Sequence, residues 1–123
     1  MAVTYGPQVD SNGVKTANAE TLVSSSAAET GHVLKNAAGT LISLVGYNGK
    51  TSAQFIQVHN STTVPAESSV PSYSFTVPAS SNFSLDIPIC GAPFTTGISV
   101  CNSSTQATKT IGSADCWFTA VIK

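Results

Sequence analysis

The stretch SYSFTVPASSNFSLDI (residues 72–87) decides how the rest of the chain is read. In its first half Tyr73, Phe75 and Val77 alternate with Ser72, Ser74 and Thr76. In its second half Phe83, Leu85 and Ile87 alternate with Asn82, Ser84 and Asp86. A period of two sends alternate side chains to opposite faces of a β-strand. Each half is therefore a strand with one apolar and one polar face, and Pro78 to Ser81 reads as a short turn between them.

Working outward, the same signals recur. Leu41, Ile42, Leu44 and Val45 form a nearly continuous apolar run, which suits a strand buried on both faces. The Asn48-Gly49 pair in GYNGK (46–50) is a strong hairpin signal, leading to a strand over 53–59. Downstream, PICGAP breaks the chain and FTTGISVCN supplies a strand through Cys101. A long polar loop, 103–115, precedes CWFTAVI, which is apolar on both faces and belongs inside a sheet. About seven strands between residues 32 and 122, punctuated by Pro and Gly, predict an all-β fold. The expected architecture is an antiparallel β-sandwich or small barrel, jelly-roll-like, of seven or eight strands. Residues 1–31 read as an extended N-terminal arm with a short helical turn around Asn18 to Val23, and residues 32–123 as the β-sandwich domain.

Charge is scarce. Of 123 residues only 9% are Asp, Glu, Lys or Arg, against roughly 25% in an ordinary soluble protein. All five basic residues are lysines, and 18 Ser with 15 Thr supply a neutral, hydroxyl-rich surface. Binding to nucleic acid draws on clustered Lys and Arg, so no nucleic-acid partner is expected. At 41% hydrophobic the chain has the apolar content to fold. No apolar run approaches the ~20 residues that cross a bilayer, so no membrane partner is expected either. The opening MAVTYGPQVD carries no basic and apolar leader, which predicts synthesis and residence in a cytoplasm.

Candidate chemistry is thin. Cys90, Cys101 and Cys116 lack close pairing, so they read as small buried thiols in strands rather than zinc ligands. A Cys101–Cys116 disulfide stays open if their strands are neighbours, although a cytoplasmic origin argues against it. His32 and His59 begin and end strands, Asp86 points away from its apolar neighbours, and Glu67 and Asp115 fall in loops. No local framework holds a serine as a nucleophile, and no glycine-rich phosphate loop occurs. Neither catalytic residues, nor a metal site, nor a cofactor is expected, and the protein reads as a non-enzyme. Trp117 and Phe118 are consecutive on a strand and must face opposite ways. One of them fills the core; for the other, a sugar platform or an interface anchor is weighed against the favoured reading, packing between two sheets. Tyr5 and Tyr47, read as arm and loop residues, are the better candidates for touching a partner.

Two stretches carry a resemblance. FTTGISVCNSSTQATKTIGSADCWF (94–118) and AQFIQVHNSTTVPAESSVPSYSFTVPASSNFSLDI (53–87) resemble small structural proteins of tailed-bacteriophage virions, with head decoration (cement) proteins as the nearest functional idea. The resemblance covers roughly residues 40–122 and implies no catalytic residues. It implies a component of the virion, made in the bacterial host cytoplasm, without fixing which part; the leading expectation is a decoration protein seated on the capsid surface. The expected partners are the major capsid protein and further copies of the chain, by symmetry as a homotrimer at three-fold positions, with a dimer or lone copies as the alternatives. Val3, Tyr5 and Val9 of the arm are the expected capsid contacts, with Tyr47 beside them. A tail, baseplate or head-fibre component is the alternative within the virion. A carbohydrate-binding β-sandwich, using Trp117, Tyr47 or Tyr73 as a stacking platform, is the alternative from another class.

Overall fold

The computed structural model describes residues 20–87 and 89–123, and among them it is all-β. Nine strands form: β1 (Thr21–Ser24), β2 (Gly31–Lys35), β3 (Gly39–Asn48), β4 (Gln54–His59), β5 (Tyr73–Val77), β6 (Ser81–Leu85), β7 (Ala92–Phe94), β8 (Ile98–Ser103) and β9 (Cys116–Ile122). One sheet runs β1-β9-β3-β6, with β7 also paired to β3, and the other runs β2-β8-β4-β5. Every pairing is antiparallel. Two such sheets, packed face to face around one core, make the expected sandwich, and the strand order is that of a jelly roll with β7 added.

The chain changes sheet at most of its connections, which corrects the hairpin reading at Asn48-Gly49 and gives the short turn after Val77 an unexpected destination. Asn48-Gly49 is no hairpin: β3 and β4 lie in different sheets, as do β5 and β6 on either side of residues 78–80. Both crossings occur at one end of the sandwich and are tied together there. Asn48, fully buried, donates through Nδ2 to the carbonyls of Ser52 (3.2 Å) and Pro78 (3.0 Å). Its Oδ1 accepts from the Lys50 amide (3.0 Å) and the Cys116 thiol (3.8 Å), and the Ser80 amide donates to the Lys50 carbonyl. The turn chemistry in the sequence is real; its product is a corner between sheets.

The apolar run of β3 has a different cause from burial on both faces. Leu41 pairs with Ile122 and Ser43 with Val121, so Ile42 is an extra residue at a bulge. A bulge resets the alternation, and Leu41 and Leu44, three apart, both reach the core while Val45 turns outward at 43% exposure. Across β3, Gly46 stands in register with Phe83 on one side and Phe118 on the other. The absent side chain leaves room for those rings, whose centroids lie 6.2 Å apart, and Phe83 meets Phe75 at 5.9 Å. A Cβ at position 46 would collide with the Phe83 ring and the Trp117 carbonyl.

The sheet begins inside the segment read as an arm. Thr21–Ser24 is an edge strand on β9 where a helical turn around Asn18 to Val23 was expected. Val23 packs on the core and the backbone bonds to β9, which together outweigh the helix propensity of the neighbouring Ala and Glu. Among the described residues no helix is long and apolar enough to cross a membrane.

Two substitutions test this frame by urea denaturation. Gly46→Ala is expected to cost about 1–3 kcal/mol through overpacking. Asn48→Ala, which strands buried carbonyl and amide groups at the corner, is expected to cost about 2–4 kcal/mol.

Candidate interaction face

The two outer faces of the sandwich are treated in opposite ways. On the β2-β8-β4-β5 sheet, residues alternate so that Ile56, Val58 and Val100 enter the core, while Gln57, His59 and Cys101 point outward. These outward residues are nevertheless buried, because residues 60–72 and 104–112 lie over them as a roof. Gln57 holds the roof down. Its Nε2 donates to the carbonyls of Thr105 (3.0 Å), Gln106 (3.2 Å) and Thr108 (3.1 Å). Its Oε1 accepts from His59 Nε2 at 3.0 Å and from the Cys101 thiol at 3.8 Å. The two loops are also laced to each other, Ser68 to Lys109 and Lys109 to Ser69 through the backbone, and Ile111 to the Glu67 carboxylate. Lys109 is only 3% exposed and donates through Nζ to the Pro65 carbonyl.

This buried layer sets the chemistry of its ionisable groups. Burial, helped by the positive charge of Lys109, lowers the pKa of His59 below its ordinary 6.5, so the ring is neutral at pH 7. Burial pushes the Cys101 thiol up to about 11, and Cys116, in the other sheet, likewise to about 11. Neither is a reactive thiolate at neutral pH. The three cysteines are free; Cys101 and Cys116 are buried in strands of different sheets, whereas Cys90 lies exposed in a turn, outside the buried-thiol expectation.

At the margin of the roof an open cleft of about 370 Å³ is lined by His59, Asn60, Ser61, Thr63, Ser69 and Ser72, among others. Asn60 is already spent there, donating to Thr95 Oγ1 and accepting from the Thr96 amide, both at 2.9 Å. The lining residues include no carboxylate to pair with the imidazole. His32 is elsewhere, with its Nδ1 3.0 Å from the Glu29 carboxylate. Among the described residues no three His, Cys, Asp or Glu side chains gather as a metal site would require.

The other outer face, on the β1-β9-β3-β6 sheet, is left uncovered by the described residues. Its rows follow from the register. Leu22, Val121 and Ser43 form one row, and Ser24, Thr119, Val45 and Ser84 the next. Trp117, Tyr47 and Asn82 form the third. The Ser24 and Thr119 hydroxyls meet at 2.9 Å across two strands. Leu22 is 68% exposed, Trp117 42% and Tyr47 37%. None of these ten residues carries a charge.

Tyr47 therefore belongs to this face, in the middle strand β3 and not in a loop. Val3, Tyr5 and Val9 lie outside the described residues. Trp117 and Phe118 do face opposite ways, but only Phe118 enters the core; packing between the sheets is overturned for Trp117. Tyr73 is half-exposed with its ring edge-on to Phe94 at 6.1 Å. The face itself was partly hidden from sequence reasoning. Its signal was the outward set Trp117, Thr119 and Val121 in CWFTAVI, obscured because that strand is apolar on both sides.

No family model matches the chain, and neither a curated protein nor a solved structure matches it.

The neutral His59 gives a pH dependence. The unfolded chain takes up the proton first as pH falls through 6.5, so stability declines from there down to the lowered folded-state pKa. Denaturation midpoints between pH 8 and pH 5 are expected to fall on the acid side in the parent and to flatten in His59→Gln. The protection factors of the 104–112 amides, corrected for the pH dependence of intrinsic exchange, should fall in the same window.

Proposed function

We propose that the protein is a non-enzymatic structural component of a tailed-phage virion, in first place a head decoration protein that binds the outer capsid and stabilises it. The observation that supports this reading most is the contrast between the two outer faces. Burying polar side chains costs free energy unless they are bonded, and the chain meets that cost on one sheet by folding two loops over it. It leaves Trp117, Tyr47, Val45 and Leu22 uncovered on the other. Exposed apolar patches with aromatic residues at their centre are characteristic of protein contacts. With so few charges available, such a contact depends on shape and apolar burial.

In this reading the N-terminal segment, with Val3, Tyr5 and Val9, reaches the major capsid protein, and copies of the chain associate with one another. Stabilisation follows from mass action, since a ligand that binds only the closed shell opposes its opening. The resemblance of residues 53–87 and 94–118 to phage structural proteins agrees with this, and those stretches build the roof and supply Trp117. A jelly-roll sandwich serves capsid and lectin domains alike, so the fold alone does not choose between them.

The test is the location of the chain in purified particles. Heads and tails separated after mild disruption should show it in the head fraction, in many copies. Recovery in the tail fraction selects the tail or baseplate alternative, and absence from both ends the virion reading. Deleting residues 1–19, which stops short of β1, is expected to leave the sandwich folded and to abolish attachment to heads. Trp117-dependent retention on a polysaccharide matrix, with no binding to particles, would favour the carbohydrate module.

A further inference from the structure

Where β5 and β6 end their sheets, the open side of the sandwich holds a small apolar groove. It encloses about 40 Å³ and is lined by Leu41, Tyr73, Leu85, Asp86, Ile87 and Ala92. Leu85 and Ile87 pack on the core yet stay partly open, and Tyr73 is 45% exposed. Among the described residues no further strand pairs with the outer edge of β5 or of β6. A space of this size suits the end of one aliphatic side chain.

Asp86 gives the groove a sign. It is exposed, and the ion pair formed among the described residues, His32 with Glu29, leaves it out. Lys35 spends its ammonium on the Lys123 carbonyl, and neither of those lysines bridges to Asp86. The groove therefore combines an apolar floor with an exposed carboxylate at its rim.

The place where β1 begins bears on what fills it. Thr21, Ile122, Leu41 and Ala92 are successive register partners, one row across β1, β9, β3 and β7. Three strand spacings of about 4.8 Å put the start of β1 about 14 Å from the Ala92 wall of the groove. Residues 1–19, outside the described residues, precede that start. Six residues of extended chain reach about 20 Å, enough to bring position 14 to the groove from Glu20. Val14 is also the one valine of that segment followed by a cation. It precedes Lys15, the single basic residue of 1–19, whereas Val9 precedes Asp10 and Val3 precedes Thr4. Neighbouring side chains of an extended segment point opposite ways, so a valine turned into the groove leaves its lysine outside, where Asp86 is exposed.

We propose that this segment docks on the sandwich of its own chain, with Val14 in the groove and Lys15 against Asp86. The inference goes beyond the assembly reading: the contact holds the N-terminal segment at the β5–β6 side and leaves Val3, Tyr5 and Val9 to project from there. An exposed ion pair adds little affinity and serves to choose the position. The short tether from β1 supplies the rest, because it keeps the segment at high effective concentration.

Amide NMR spectra of the full chain and of Val14→Asp test the contact. Differences should concentrate at Leu41, Tyr73, Leu85, Asp86, Ile87 and Ala92, besides the residues flanking the substitution, with circular dichroism unchanged. Lys15→Glu should shift the same groove amides, and Lys15→Glu combined with Asp86→Lys should return them toward the parent positions. Carbodiimide coupling should join Lys15 to Asp86, as read by peptide mass spectrometry, and Asp86→Asn should remove that link. Groove amides that do not respond, or a Lys15 link formed mainly to another carboxylate, overturn the proposal. In a mixture of isotopically light and heavy chains, a link that joins light to heavy peptides assigns the segment to a second copy and overturns docking on the same chain. Location in particles is a separate readout. A chain that docks as described but is absent from virions ends the virion reading and leaves this contact standing; a chain found in heads without the groove response does the reverse.

Discussion

The side-chain amide of Gln57 gathers three carbonyls of the 105–108 turn onto the outside of β4, and the two faces of the sandwich differ because of it. Without that anchor the outward residues of β4 and β8 would form an ordinary hydrated strand surface. With it, two loops close over them, His59 and Lys109 lose water, and β8 becomes buried along its whole length. The cost of this arrangement is a polar layer in low dielectric, where each group needs a partner. Most have one; Ser74 Oγ and Ser99 Oγ are the exceptions in this layer, and Asn102 Oδ1, on the Ile56 side of the sheet, is a third buried exception among the described residues.

On the opposite sheet the three registered rows of outward residues are uncharged, and among the described residues no loop is laid over them. Hydroxyls alternate with valine, leucine and tryptophan, and the cross-strand side-chain bond among them is the one between Ser24 and Thr119. Scarcity of charge, visible in the composition as a property of the whole chain, is thus concentrated in space. Of the described charged residues, Glu29 sits beside His32, Lys109 and Glu67 belong to the roof, Asp86 is exposed just past β6, and Glu20, Lys35, Lys50, Asp115 and Lys123 lie at or beside strand ends.

What the sequence made legible was whatever depends on neighbours along the chain. The alternation at 72–77 and 82–87 does place Val77 and Phe83 inside and Thr76, Asn82, Ser84 and Asp86 outside. CWFTAVI does lie within a sheet, between β1 and β3. Asn48-Gly49 misled because a tight turn does not reveal which sheet its second strand joins. Ile42 misled because a bulge imitates burial on both faces. The roof was illegible for a deeper reason: Gln57 and its carbonyl partners are about fifty residues apart, and a glutamine in a strand gives no sign of what it will hold.

The position of β9 has a consequence for how the molecule comes into being. It is the last strand of the nine to be synthesised, yet it lies between β1 and β3, and among the described residues β1 pairs with no other strand. The first sheet therefore cannot close until Cys116 to Ile122 has left the ribosome, and β1 waits unpaired through the synthesis of about ninety residues. Closure of this sheet comes late, after translation of the body of the chain, and a chain cut short before residue 116 offers no Trp117 and no finished face. Incomplete copies are thereby excluded from whatever the face joins, a form of proofreading supplied by topology alone.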